Sequence, residues 1–299
     1  LIKQNNKRAL RNIKPAGLDI GILNLASIIV HDEKTQSLII SGNEFISKNC
    51  FYNKLFANLQ EKIANEAIEF KEITQKSGNK VKIATKYTNK GRNLQKQKNR
   101  LMESRRRFFD DKMNQYSKKI LNYLQENKVT DLVISKNLSF TKTTGEIKMN
   151  KKTKQKFYQI PFGQLLNMIN EKAPMHNIFV HNKDEAYTSK TSCLTSDVNK
   201  NQKKKSLNKP ILPIDLNGNR GSKGRKLSRG LFKDNKLDII INSDLNGAAN
   251  HIRLAFNKVR IIHLKNYLWK LQQPKKIKSV FEFNCFLKQS NRIKNELLA

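Results

Sequence analysis

Apolar and β-branched residues between Gly17 and Phe45 come in short blocks separated by polar ones: "GLDIGI", "LASIIV" and "SLIIS". Such blocks read as strands, and the polar "HDEKTQ" between the last two has hairpin-loop chemistry. The spacing predicts a three-stranded antiparallel meander. From Phe51 the rhythm changes. Phe51, Leu55, Leu59, Ile63, Ala67 and Phe70 recur every three or four residues, one face of a long helix. A Lys-rich break containing Gly78 and Gly91 follows. A second helical pattern then fills residues 92–127, with Phe109, Met113, Tyr116, Ile120 and Leu124 on one face. Further on, "DLVIS" (131–135) reads as a buried strand, "PFGQLLNMINEKA" as a helix with Pro161 at its first position, and "NIFVHNKDE" as the next strand. A helix between two such strands implies a right-handed parallel crossover. Residues 195–230 are polar and Lys-rich with little periodicity, which predicts a loop. "SDLNGAANHIRLAF" opens a final helix with Ser243 or Asp244 as N-cap, and the basic tail after Lys258 has no assignable pattern.

Three antiparallel strands, helix, strand, helix, strand, helix is the element order of a ribonuclease H-like α/β fold. The expected sheet is mixed and five-stranded, in the order 3-2-1-4-5, with a long helical insertion after strand 3. The corresponding segments are 1–50 for strands 1–3, 51–128 for the insertion, 129–194 for strands 4 and 5 with their crossover helix, 195–230 for a basic loop, 231–257 for the last helix and 258–299 for the tail.

Charge narrows the partners. Among 299 residues, 59 are Lys or Arg against 24 Asp or Glu, a net charge of +35 spread along the whole chain. That much like charge repels itself unless a polyanion neutralises it, so nucleic acid is the expected partner. No apolar run is long enough to span a membrane. Cys50, Cys193 and Cys285 are far apart and form no CxxC pair, as expected of a reduced, intracellular protein. The strand pattern starts soon after Leu1, which reads as the C-terminal part of a longer protein.

Two acids stand where chemistry is expected. Asp19 ends the first strand, and Asp244 opens the last helix. Each has a plainer reading, a strand-edge turn for Asp19 and a helix cap for Asp244. Asp-x-Gly also occurs in actin-like and sugar-kinase folds, but the later Gly-rich phosphate loops those folds need are absent from the sequence. The end of strand 1 and the start of a helix packed on the same sheet can bring both carboxylates together. Paired carboxylates sharing divalent metal suit in-line phosphodiester hydrolysis.

"GLDIGILNLASI", "EAYTSKTS", "GRKLSRGLF" and "NSDLNGAANHIRLAF", in that order, resemble the nuclease half of the TnpB family. These are RNA-guided endonucleases of insertion sequences, related to Fanzor proteins and type V CRISPR effectors. The resemblance spans roughly residues 15–257. It implies a RuvC-type domain needing Mg²⁺ or Mn²⁺, a guide RNA, a DNA target and acids on strand 1, strand 4 and the last helix. Asp19 matches the first acid and Asp244 the third. The strand 4 slot holds Ser135, followed by Lys136, and neither can supply the missing charge. Strand 5 should run parallel to strand 4 and end at the same edge, which puts Glu185 forward as a relocated second acid; a surface Glu is the plainer reading. Asp184, its neighbour, would face the opposite way.

Where many members carry zinc-binding CxxC pairs, the slots read Ser192 and Thr195, so no zinc is expected. Candidate phosphate contacts are Arg105, Arg106 and Arg107 on the second helix, and Arg225 and Arg229 in the basic loop. For all five, a solvated basic surface is the alternative. Three functions compete: a metal-dependent endonuclease guided by RNA, an inactive descendant that binds DNA under RNA guidance without cutting, and a generic basic RNA-binding or structural protein.

Overall fold

The computed structural model describes residues 13–74, 78–135, 159–183, 188–194, 224–228, 230–235, 237–256 and 267–296. The chain divides into two compact units, Leu1–Asn43 with Asn114–Ala299, and Glu44–Met113. In the first unit, β1 (Pro15–Asp19), β2 (Asn24–Val30) and β3 (Leu38–Ser41) form the meander.

The second unit begins with α1 (Asn43–Ala64) and ends within α2 (Asn89–Glu126). Between them stand β4 (Ala67–Thr74) and β5 (Lys80–Tyr87), paired as an antiparallel hairpin. This corrects the expected helix over residues 51–70, which stops at Ala64. Ala67 and Phe70 fit helical spacing on paper, yet they belong to β4, where Ile68, Phe70 and Ile73 lie exposed. β-branched residues on both sides of a positive-φ glycine, Gly78 at +84°, favour a hairpin over a helix.

After α2 the first unit resumes. β6 (Asp131–Ser135) lies parallel to β1, α3 (Phe162–Lys172) makes the crossover, and β7 (Phe179–Lys183) lies parallel to β6. Pro161 caps α3 from the position before its first residue. β8 (Gly224–Ser228), β9 (Leu231–Asp234) and β10 (Ile239–Asn242) form a separate antiparallel sheet. The end of the expected 195–230 loop is therefore a strand. β10 passes directly into α4 (Ser243–Ala255). α5 (Tyr267–Gln272), β11 (Lys275–Ile277) and α6 (Val280–Glu296) complete the described chain.

The large sheet is mixed and six-stranded, in the order β11-β3-β2-β1-β6-β7. The sixth strand, absent from the sequence reading, comes from the unassigned tail. β11 is too short and too lysine-rich to signal a strand, and it pairs parallel with β3. α4 packs across β1, β2 and β6. Its Leu245, Ala248, Ala249 and Ile252 share a core with Ile29, Ile39, Phe232 and Tyr267.

Two features hold this assembly. A Cβ on Gly17 would stand 1.9 Å from the Ala248 carbonyl oxygen, so the α4 backbone rests directly on β1. Beyond the end of β2, the fully buried Lys270 donates to the Val30 and Asp32 carbonyls at 2.6 and 2.8 Å and reaches Asp32 Oδ1 at 3.1 Å. Burial lowers the Lys270 pKa to about 8. Asp32 is half-buried, which alone would raise its pKa. Lys14 at 2.6 Å, Thr35 and Lys270 outweigh that and hold the carboxyl well below the usual range.

Gly17→Ala is expected to cost about 3 kcal/mol in urea unfolding, because the contact is with backbone that cannot rotate away; near-wild-type stability would refute the close approach. Asp32 titrates below its unfolded value of about 3.9. Its contribution is therefore complete above that pH and lost as pH falls through the folded value. Stability measured from pH 6 down to about 2 should fall less steeply in Asp32→Asn than in the parent chain.

Candidate active site

The carboxyl end of β1 carries Asp19, in register with Ser27 of β2 and one residue beyond the last β1–β6 pair. Asp19 faces α4. A Cβ on Gly247 would come 2.6 Å from Asp19 Oδ2, so a glycine is what leaves room for the carboxylate. Asp244 sits in the first turn of the same helix. The N-cap is neither Ser243 nor Asp244 but Asn242, whose side-chain oxygen accepts from the amides of Asp244 and Leu245, both at 3.0 Å. Asn242 has extended dihedrals because it still belongs to β10, and this satisfies the capping geometry. Asp244 is thereby freed from capping.

Asp244 is held instead by Asn24, whose Nδ2 donates to Oδ2 at 2.6 Å. Asn24 opens β2 beside a bulge: Asn24 pairs with Ser41 and Ala26 with Ile40, leaving Leu25 as the extra residue. Bulges re-aim neighbouring side chains. Burial pushes the Asp244 carboxyl pKa up, the Asn24 bond opposes it, and the Asp19 charge raises it further. The two acids thus interact electrostatically across the β1–α4 contact. A cation acts on the same carboxyl: Lys226 of β8 lowers its pKa. The neighbouring Arg225, a candidate phosphate contact, lies exposed on β8. Neighbouring residues of a strand face opposite ways, and only the fold tells which one meets Asp244.

Ser135 is the last residue of β6, buried and in register with Lys183 of β7. Lys136, Asp184, Glu185, Thr195 and Arg229 lie outside the described residues. The described chain resumes at Thr188, three positions after Glu185, and there it is tied to α4. Asn250 Nδ2 donates to the carbonyls of Thr188 and Thr191, each at 2.8 Å. Asn246 donates to Thr191 O and accepts from Cys193 N, both at 2.8 Å. Arg253 donates to Ser192 O at 3.1 Å. These three residues are spaced four and three apart, so they line one face of α4. That spacing is the signal by which "TSKTSCL" and "NGAANHIR" could have been paired from sequence.

Of the two slots compared with zinc ligands, Ser192 does other work here. The Ser192 hydroxyl bonds the buried Asp234 carboxylate of β9. Cys193 is buried, and burial pushes its thiol up to about 12. Among the described residues, no three His, Cys, Asp or Glu side chains are grouped to hold a metal ion. No helix among them is long and apolar enough to cross a membrane.

The arginines of α2 are partly engaged within the second unit. Arg105 donates through Nε and Nη2 to Asn49 Oδ1 at 3.1 and 2.7 Å and lies 4.7 Å over the Phe109 ring. Arg106 forks onto Glu103 at 2.7 and 2.9 Å and reaches Asp110 at 2.9 Å, and Arg107 meets Glu103 at 3.0 Å. Hydrogen bonds from Arg106 and Arg107 hold the Glu103 carboxyl at about 2. Arg106 and Arg107 remain exposed, whereas Arg105 is a packing residue of the α1–α2 pair.

A basic α/β protein with coupled acids on its central strand and on the helix crossing it is the class that sheet and site define. Residues 3–140 match the family OrfB_IS605, described as a probable transposase, and residues 162–251 match the Cas12f1-like TNB domain. The two matches are consistent with a member of the TnpB family. Among solved structures, it is similar to the Cas12f1–sgRNA–target DNA complex, with a TM-score of 0.47 and 16% identity over 79% of this chain and 49% of that one. Against the CRISPR-Cas12f ternary complex the TM-score is 0.48, again at 16% identity, over 82% of this chain and 40% of that one. The chain therefore spans less than half the length of these relatives. No curated protein matches it.

Asn250→Leu removes the donor shared by two buried carbonyls and should cost about 3 kcal/mol. Amide exchange in Thr188–Leu194 should accelerate in that variant. Unchanged exchange would show that the segment is held by something other than α4.

Proposed function

We propose that the chain is the nuclease part of an RNA-guided, divalent-metal-dependent DNA endonuclease of the TnpB type. The observation that carries this reading is the coupling of two buried-edge carboxylates, Asp19 and Asp244, whose elements meet backbone to backbone. The order of β3, β2, β1, β6 and β7 supports a ribonuclease H-like, RuvC-type assignment for the sheet. The family matches and the net charge of +35 support nucleic-acid partners, a guide RNA and a DNA target, held mainly through phosphates.

The donor set fits Mg²⁺ or Mn²⁺. Asp19 and Asp244 offer hard oxygen ligands, and a cation relieves the mutual repulsion that raises the Asp244 pKa. Glu185 is the third ligand in this reading, three residues before the anchored Thr188. Bound divalent ions supply an activated water and a stabilised leaving oxygen. The chain's own groups do the holding. Asn24 orients Asp244 by its hydrogen bond, Gly247 leaves Asp19 its space, and Lys226 adds positive charge where a scissile phosphate would approach. No zinc enters this scheme.

A second reading keeps RNA-guided binding without cutting. Ser135, buried at the end of β6 where the family places an acid, favours it.

To separate the two, RNA that copurifies with the chain is sequenced, and a DNA duplex matching it is offered with Mg²⁺ or Mn²⁺. Cleavage is expected, and Asp19→Asn, Asp244→Asn and Glu185→Gln should each lower it by about a thousandfold or more with DNA affinity kept. Matching DNA bound but never cut by the parent chain supports the binding-only reading. Full activity in Glu185→Gln would remove Glu185 from the site.

A further inference from the structure

His251 lies two turns along α4 from Asp244 and is completely buried. Neither of its ring nitrogens has a hydrogen-bond partner among the described residues. Its Nε2 stands 3.8 Å from Asp19 Oδ1, while the other carboxylate oxygen faces Gly247. The polar neighbours along the same helix, Asn246, Asn250 and Arg253, are all bonded. Two orphan nitrogens in a dry interior cost stability, and a Leu or Phe would fill the same space without that cost. Asp19 is in the complementary position. Asp244 accepts a hydrogen bond from Asn24, whereas Asp19 has none from the described residues. An unpartnered donor and an unpartnered acceptor therefore face each other slightly beyond bonding range. Closing by roughly 1 Å would bring the pair within it, and hydrogen bonds in empty catalytic sites commonly tighten when the site fills.

We propose that His251 is a positioning residue for Asp19: with its proton on Nε2, the imidazole donates to Oδ1 and fixes the carboxylate against Gly247. The second oxygen is then presented to a divalent cation in a single orientation. This rests on the reading of Asp19 as a metal-binding carboxylate. It assigns His251 the part on Asp19 that Asn24 plays on Asp244.

Binding of Mn²⁺ to the purified chain, followed by calorimetry, tests it with three variants. His251→Phe keeps shape and loses the donor; His251→Gln keeps a donor. Outer-shell partners of metal ligands are worth about 10- to 100-fold in affinity. His251→Phe should therefore weaken Mn²⁺ binding by about tenfold, with thermal stability equal to or above the parent's, and His251→Gln should recover most of the loss. Unchanged affinity in His251→Phe, or equal loss in both variants, overturns the proposal. Asp19→Asn separates the underlying reading. If it leaves Mn²⁺ binding intact, Asp19 is not a ligand and the metal reading fails. The contact itself is then judged by the ¹⁵N spectrum of the His251 ring. A protonated Nε2 whose resonance shifts in Asp19→Asn upholds the contact, and an Nδ1–H tautomer insensitive to that change disproves it.

Discussion

The backbone contact between β1 and α4 is the constraint on which the rest of the structure depends. Gly17 has no room for a side chain beneath Ala248, and Gly247 has none above Asp19. Helices normally rest on sheets through side chains. Here the small residues Gly17, Gly247, Ala248 and Ala249 let main chain meet main chain, and the carboxylates at the two elements' ends are drawn together. α4 is buried almost all round, from Leu245 to Leu254. A helix in that position would ordinarily be apolar throughout. Instead it carries Asn246, Asn250 and Arg253, whose hydrogen bonds run to the carbonyls and amide of Thr188–Leu194 and fix its register.

Charge is managed by position. Lys270 keeps its ammonium in the interior by surrounding it with carbonyl oxygens and Asp32, and Arg105 lays its guanidinium on an aromatic ring. These basic residues are part of the scaffold. Arg106, Arg107 and Arg225 remain at the surface. The net charge therefore overstates how many cations are available to a polyanion, and sequence alone does not separate the two groups.

The central sheet was legible because β1, β2, β3, β6 and β7 are short runs of β-branched residues bounded by polar turns. Asp19 and Asp244 were legible because each sits at the end of such a pattern. The hairpin was not, since Ala67 and Phe70 continue the three-to-four-residue spacing of α1 into what is β4. β11 has three residues and two lysines, so its pairing with β3 is a tertiary choice with no local signal. Asn24 and Lys226 escaped for a similar reason. Their partner is Asp244, and a link between residues so far apart in sequence is fixed by folding and by a bulge, which a residue pattern does not report. Glu185 and Arg229 lie outside the described residues.

The distance along the chain between the two ends of the β1–α4 contact has a consequence in time. Asp19 and Asp244 are separated by 225 positions. At a synthesis rate of about 5–20 residues per second, they leave the ribosome roughly ten to forty-five seconds apart. During that interval β1 has its Gly17 groove uncovered and its lone carboxylate without a counterpart. The growing chain is thus already strongly basic well before its second carboxylate arrives.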